Sequence, residues 1–181
     1  MGIGRSFQIT NIFPNLTVLE NIRLAAQAMG RDNFRLLRSH HAFARYEDRA
    51  WEVIQQVGLA NEAVFPARTL PHGAQRKLEL GMILAPDPEI LLLDEPTAGM
   101  ASEQVPELMA LIQKIQAAKG KTVMLVEHNM NVVMSVSDKI TVMHHGSILA
   151  EGTPAEISAN ETVQTAYLGH LYSDSAQAEE S

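Results

Sequence analysis

Cysteine is absent from all 181 residues. That absence removes disulfide scaffolds, thiolate-held zinc and thiol catalysis together. A chain of this length buries about 70% of its unfolded surface, so it needs no such staple. Charge is sparse and unbalanced: charged residues make up 19%, and the net charge is −7. Nucleic-acid binders normally carry a basic patch or stripe, so a nucleic-acid partner is not expected. Long apolar runs are missing too. Stretches such as Ile90 to Leu93 fall far short of the ~20 residues a membrane span requires. The opening Met1-Gly2-Ile3-Gly4-Arg5-Ser6-Phe7-Gln8 has no apolar h-region, so it does not read as a signal peptide. The expected location is cytoplasmic, with any membrane association made through a partner protein.

What is present is the pattern of an ordinary globular chain, 46% apolar, in which helices and strands alternate. Thr17 and Glu20 form a capping box ahead of Leu19, Ile22, Leu24, Ala25 and Ala28, in a helix ending near Gly30. A second helix is expected from Ala44 to Val57, with Trp51, Ile54 and Val57 on one face and Gly58 closing it. A third begins near Gly73 and must stop by Ala85, because Pro86 follows. Ser102 is placed to cap a long helix that ends before Gly120, and Thr153, Pro154 and Glu156 make another capping box. Glu89 to Asp94 and Thr122 to Glu127 are short and apolar, the signature of parallel strands buried on both faces. Lys139 to His144 and Ser147 to Glu151 flank a turn at His145-Gly146. Together these predict an α/β protein with a largely parallel central sheet. One unit is expected over residues 1–172, followed by a disordered, polar tail at 173–181.

Four features carry chemistry. In Ile90-Leu91-Leu92-Leu93-Asp94-Glu95 a buried strand delivers two carboxylates at its C-terminal end, the edge where ligands of open α/β sheets bind. An Asp there suits a hydrated Mg²⁺ beside phosphates, and the next Glu suits positioning or deprotonating a water for in-line attack. His128 ends the following strand and opens on the same edge. Leu70-Pro71-His72-Gly73-Ala74-Gln75 places a glycine at a helix start, where backbone N–H groups can face an anion. Gln8 precedes Leu16 to Ile22 at a strand-to-loop junction, within reach of a metal or a water. Taken singly, each also fits an ordinary role: an acidic turn, a surface histidine, a plain Pro/Gly helix start, a loop glutamine.

In this order the four resemble the ATP-binding subunit of ABC transporters. Gln8 matches the Q-loop, Leu70 to Gln75 the signature motif, and Ile90 to Glu95 Walker B with its catalytic glutamate. Ala98-Gly99-Met100 begins the D-loop, and His128 matches the switch histidine. The L-P-x-G-x-Q-R-x-L-E form, Val126-Glu127-His128-Asn129-Met130, Ala150-Glu151-Gly152-Thr153-Pro154 and Ala166-Tyr167-Leu168-Gly169 look like the branched-chain amino acid uptake type. The urea-uptake type is its near neighbour.

The resemblance implies a partial P-loop NTPase fold of the ABC ATPase type, mostly parallel with a helical insertion. It implies ATP and Mg²⁺, with Glu95, His128 and Gln8 catalytic and with Asp94 and Gln8 serving the metal directly or through water. Gly73, Gln75 and Gly99 would act in trans on the ATP of a second nucleotide-binding subunit. Further partners would be a membrane permease, met near Gln8 and the basic stretch at 30–45, and, indirectly, a substrate-binding protein.

Two departures stand against this. No G-x-x-x-x-G-K-[ST] loop occurs: the one Gly-Lys-Thr is Gly120-Lys121-Thr122, with Ile115 where the first glycine should be, after a helix rather than after a strand. Such a loop is expected upstream of Gln8, so the chain reads as the C-terminal part of a nucleotide-binding subunit and, by itself, as inactive. Pro71 also replaces the signature serine, offering neither hydroxyl nor N–H. A non-catalytic interaction module, a pseudo-ATPase, is therefore the competing expectation.

Overall fold

A computed structural model of the chain describes residues 2–6, 11–28, 30 and 41–166. It forms two compact units, Met1–His128 and Asn129–Ser181. The expected tail at 173–181, Gln8, and Arg31 to His40 of the basic stretch lie outside the described residues.

The first unit is built on a three-stranded parallel sheet in the order β1 (Ile3–Arg5), β2 (Ile90–Asp94), β3 (Thr122–Val126). The register sets Gly4, Leu91 and Val123 on one face, and Arg5, Leu92 and Met124 on the other. Leu91 and Leu93 are buried, and Leu93 lines a small cavity with Leu80 of helix α3 (His72–Leu84) and with Leu108 and Ile112 of helix α4 (Val105–Lys119). Gly4 is required by this packing, since a Cβ there would come within 2.5 Å of Ile83 Cγ2.

The opposite face departs from the sequence expectation. Ile3, Met124 and Val126 are 65%, 59% and 51% exposed, so β3 is not buried on both faces among the described residues. An unbroken run of apolar residues records a propensity for both faces; burial needs a second layer, and α3 and α4 supply only one.

Helices α1 (Val18–Ala28), α2 (His41–Gln56) and α3 pack through Val18, Ile22, Ala50, Val53, Ile54, Val57, Leu78 and Leu84, all nearly inaccessible. The expected capping box is formed: the Glu20 N–H donates to Thr17 Oγ1 at 3.1 Å, and the Thr17 N–H donates to Glu20 Oε2 at 3.1 Å. Asn21, fully buried, accepts the Phe13 N–H and donates to the carbonyls of Phe13, Leu16 and Thr17, fixing the loop that leads into α1. Trp51 is not on the buried face with Ile54 and Val57 but 36% exposed. Two successive three-residue steps rotate about 120° around a helix, so the stripe runs instead through Ala50, Val53, Ile54 and Val57.

Ser102 does not cap α4. The N-cap is Gln104 without a side-chain bond, and Pro106 sits in the first turn. Gly120 closes α4 in the left-handed region at φ 58°, and Thr122 opens β3. Lys121 between them is buried, and its Nζ donates to Asp87 Oδ1 at 3.0 Å and to the Pro88 carbonyl. The Gly-Lys-Thr run is thus a helix end and a strand start, as its context indicated.

The second unit holds helix α5 (Met130–Val136), the antiparallel hairpin β4 (Ile140–His144) and β5 (Ser147–Gly152), and helix α6 (Pro154–Ser158). Ile140, Val142, Ile157 and Val163 form its core. The predicted capping box on α6 is complete. The Thr153 N–H and hydroxyl hold the Glu156 carboxyl below the usual carboxylate range.

The one-sided sheet makes a prediction for unfolding of the 181-residue chain by denaturant. Met124→Lys and Val126→Lys should each change stability by no more than about 0.5 kcal/mol. Leu91→Ala and Leu93→Ala should cost about 2–5 kcal/mol. A Met124→Lys cost matching that of Leu91→Ala would show that the outer face is covered in this chain.

Candidate functional site

The site begins where β2 ends. Asp94 is the last residue of the strand, and its N–H donates to Ser6 Oγ at 2.9 Å, anchoring it to the chain just beyond β1. Glu95 then turns into the left-handed region at φ 43°, a conformation that costs an L-residue about 1–2 kcal/mol. Its N–H donates to the Val126 carbonyl at 2.9 Å, so the pairing with β3 continues one residue past the strand. The turn closes with the Ala98 N–H on the Glu95 carbonyl at 3.0 Å and the Met100 N–H on the Thr97 carbonyl at 3.1 Å.

His128 comes to the same place from the end of β3. Its Nδ1 lies 3.5 Å from Glu95 Oε1, with the imidazole 74% and the carboxylate 27% exposed. The two are aligned as an ion pair whenever the histidine is protonated, and both remain open to a ligand. Asp94, Glu95 and His128, read from separate segments of sequence, thus share one sheet edge.

The signature residues gather on the other side of the same turn. Gly99 adopts φ 74°, and a Cβ added there would meet His72 Cε1 at 3.4 Å, so the turn lies directly against the start of α3. Gly73 is in the first turn of α3, buried under Gln104, whose Oε1 would lie 2.9 Å from an added Cβ. Gln75 turns its amide back, donating from Nε2 to the Leu70 carbonyl at 2.9 Å, and so braces the segment that leads into α3. Pro71 is the N-cap and contributes no side-chain bond.

Sequence reasoning missed three residues that hold this arrangement. Arg76 and Glu79, both buried, pair at 2.9 Å within α3, and Arg76 Nη2 reaches the Ala98 carbonyl at 3.4 Å. Glu127 accepts from both the N–H and the hydroxyl of Thr97, at 3.1 and 2.5 Å. All three lie inside strings singled out for other residues; their partners are distant in sequence, and no local pattern announces them.

Among the described residues, no group of three or more His, Cys, Asp or Glu side chains could hold a metal ion. Asp94, half-buried at the C-terminal end of β2 beside Glu95, suits Mg²⁺, which keeps most of its waters and is held by one or two carboxylates together with substrate phosphates. No helix among the described residues is long and apolar enough to cross a membrane.

Comparison with known proteins places the chain and its fold in a family. The family model described as "ABC transporter" matches residues 1–98, and the one described as "Branched-chain amino acid ATP-binding cassette transporter" matches residues 147–172. The high-affinity branched-chain amino acid transport ATP-binding protein LivG of Salmonella typhimurium is 40% identical over 174 residues, covering 93% of this chain and 68% of that protein. BraF of Pseudomonas aeruginosa, with the same description, is 40% identical over 173 residues with the same coverage. Among solved structures, the dimeric post-hydrolysis state of the ATP-binding cassette MJ0796, bound to ADP and Pi, matches with a TM-score of 0.68 and 29% identity, over 84% of this chain and 63% of that one. The fold of cbiO1 from Clostridium perfringens matches with a TM-score of 0.74 at 24% identity, over 95% of this chain and 67% of that one. The chain thus spans about two thirds of the length of the relatives it matches. With its α/β sheet, its paired carboxylates at the end of β2 and this degree of identity, the chain belongs to the ABC transporter ATP-binding family and carries the C-terminal segment of the branched-chain amino acid type.

Proposed function

We propose that this chain is the catalytic part of an ATP-hydrolysing subunit that energises an importer, with branched-chain amino acids as the transported class. The single observation that carries this reading is the meeting of Glu95 and His128, 3.5 Å apart, beside Asp94 at one sheet edge. The names of LivG and BraF support the substrate class. A urea-type importer ATPase is the neighbouring alternative.

In this reading Asp94 would hold a magnesium ion, directly or through water, and the ion would neutralise charge on the phosphates. Glu95 accepts a proton from the attacking water, and His128 donates to the γ-phosphate. Gln8 assists the water or the metal. Gly99 and Gln75 would act on the nucleotide of a second subunit together with Gly73, which becomes available only if Gln104 moves off it. The dimer named for MJ0796 supports such a pairing. A membrane permease would hold the assembly at the inner face of the membrane, with a substrate-binding protein as an indirect partner. Phe13, Val64 and Phe65, more than half exposed around the entry to α1, support a permease contact at that entry.

One observation favours the pseudo-ATPase reading for the 181 residues by themselves. They contain no phosphate-cradling loop, and the one Gly-Lys-Thr run has its lysine buried and bonded to Asp87. The loop's amides and lysine would supply most contacts to the β- and γ-phosphates. The isolated chain should therefore show no micromolar affinity for Mg-ATP in a calorimetric titration. A micromolar constant would contradict the pseudo-ATPase reading of these residues.

The roles separate in a longer subunit that carries the phosphate loop. Glu95→Gln should preserve Mg-ATP binding and reduce turnover by about 10²–10⁴-fold, the worth of a positioned general base. Asp94→Asn should weaken metal-dependent nucleotide binding itself. His128→Ala should resemble the Glu95 change. Nucleotide affinity and turnover measured in parallel for the three decide the matter: near-normal turnover in Glu95→Gln, or equal loss of binding in Glu95→Gln and Asp94→Asn, contradicts the assignment.

A further inference from the structure

We infer that Glu127 is a positioning residue for Glu95, acting as a clamp on Thr97 that keeps the turn after β2 seated on the end of β3. The inference rests on the reading of Glu95 as the residue that faces the attacking water.

Glu95 holds a left-handed conformation that its side chain disfavours. Such a conformation persists only where the surroundings over-determine it. The described contacts supply two restraints from β3, one on each side of the strained residue. On its near side the Glu95 N–H donates to the Val126 carbonyl. Two residues further on, Thr97 donates both its N–H and its hydroxyl to one oxygen, Glu127 Oε1, at 3.1 and 2.5 Å. These are charge-assisted bonds, stronger than neutral ones. The residue after the clamp is His128, which faces Glu95 at 3.5 Å. Both restraints and the histidine therefore come from three consecutive positions, 126 to 128, and they fix the residues on either side of Pro96.

The other oxygen of Glu127 sharpens the point. Oε2 is buried and has no hydrogen-bond partner among the described residues. An acid kept only to cap a strand would be expected to place its second oxygen in water, because a buried unpaired polar atom is costly. Here the carboxylate is turned inward so that one oxygen meets both Thr97 donors. A glutamine can place its amide oxygen in the same position; an alanine cannot.

The test uses the 181-residue chain without nucleotide, so it stands apart from whether the chain acts on ATP. Hydrogen exchange of the Thr97 amide should quicken by about tenfold or more in Glu127→Ala, the worth of a lost charge-assisted bond, and by clearly less in Glu127→Gln, which keeps the acceptor and loses only the charge. Positioning is read separately from the carbon-13 shift of the Glu95 carboxyl. That shift should respond to His128→Ala in the parent chain, lose the response in the Glu127→Ala background and regain it in Glu127→Gln. A variant of Thr97, Thr97→Val, removes one donor and leaves every charge in place; it should weaken the Glu95 response and keeps the question open to test if Glu127→Ala fails to fold. In the longer subunit the same changes should lower kcat and leave KM near the parent value, with Glu127→Gln restoring kcat. An undiminished Glu95 response in Glu127→Ala, or in Thr97→Val should the former not fold, would overturn the proposal.

Discussion

The grip of β3 on the turn that follows β2 is the constraint on which the site depends. A buried strand delivers Asp94 to the sheet edge, but a continuing strand would carry Glu95 to the opposite face. The left-handed residue breaks that alternation. The bond from the Glu95 N–H to the Val126 carbonyl makes the break affordable by continuing the sheet ladder through it. With the turn held, Gly99 lies against His72, Ala98 presents its carbonyl to Arg76, and the start of α3 is tied to the same few residues. The edge that holds Asp94, Glu95 and His128 and the start of α3 are thereby joined around one short loop.

The remainder of the first unit supports that loop from below. Leu91 and Leu93 anchor β2 against α3 and α4, Ser6 holds the Asp94 backbone, and the close approach of Gly4 to Ile83 lets β1 lie tight against the same helix. Asp87, itself left-handed, takes the buried Lys121 Nζ at 3.0 Å and faces Arg49 of α2 at 3.7 Å, joining the approaches to β2 and β3 to the helical insertion. The other face of the sheet remains open at Ile3, Met124 and Val126. Parallel sheets in α/β proteins are normally covered on both faces, and among the described residues this face is not.

Local physics was legible in the sequence. The boxes at Thr17–Glu20 and Thr153–Glu156, the left-handed Gly58 and Gly120, and the short strands around Leu91 and Val123 all follow from residues within a few positions of each other. That Asp94, Glu95 and His128 come together was legible because parallel strands open on a common edge. Two local readings failed: Trp51 was put on the buried stripe against the phase of its own helix, and Ser102 was given a cap although α4 starts at Val105 with Gln104 as its N-cap. Non-local matters were not legible. β3 was given a second covering layer it lacks among the described residues. The clamp between Glu127 and Thr97 spans 30 positions, and no spacing rule connects them. In both, a side chain's role depends on which other segment arrives beside it.

The central claim is that the turn at Glu95 is strained for the sake of where its carboxylate points. Comparing Glu95→Gly with Glu95→Ala in the 181-residue chain tests it most directly, because both remove the carboxylate and differ only in backbone freedom. Glycine adopts the left-handed region without penalty, whereas alanine there keeps the about 1–2 kcal/mol cost of an L-residue, offset by roughly 0.4–1 kcal/mol of unfolded-state entropy. Denaturant unfolding should find Glu95→Gly more stable than Glu95→Ala, by up to about 1.6 kcal/mol. A glycine variant less stable than the alanine variant would mean that the turn is not held in that conformation, and the account of the site would fail with it.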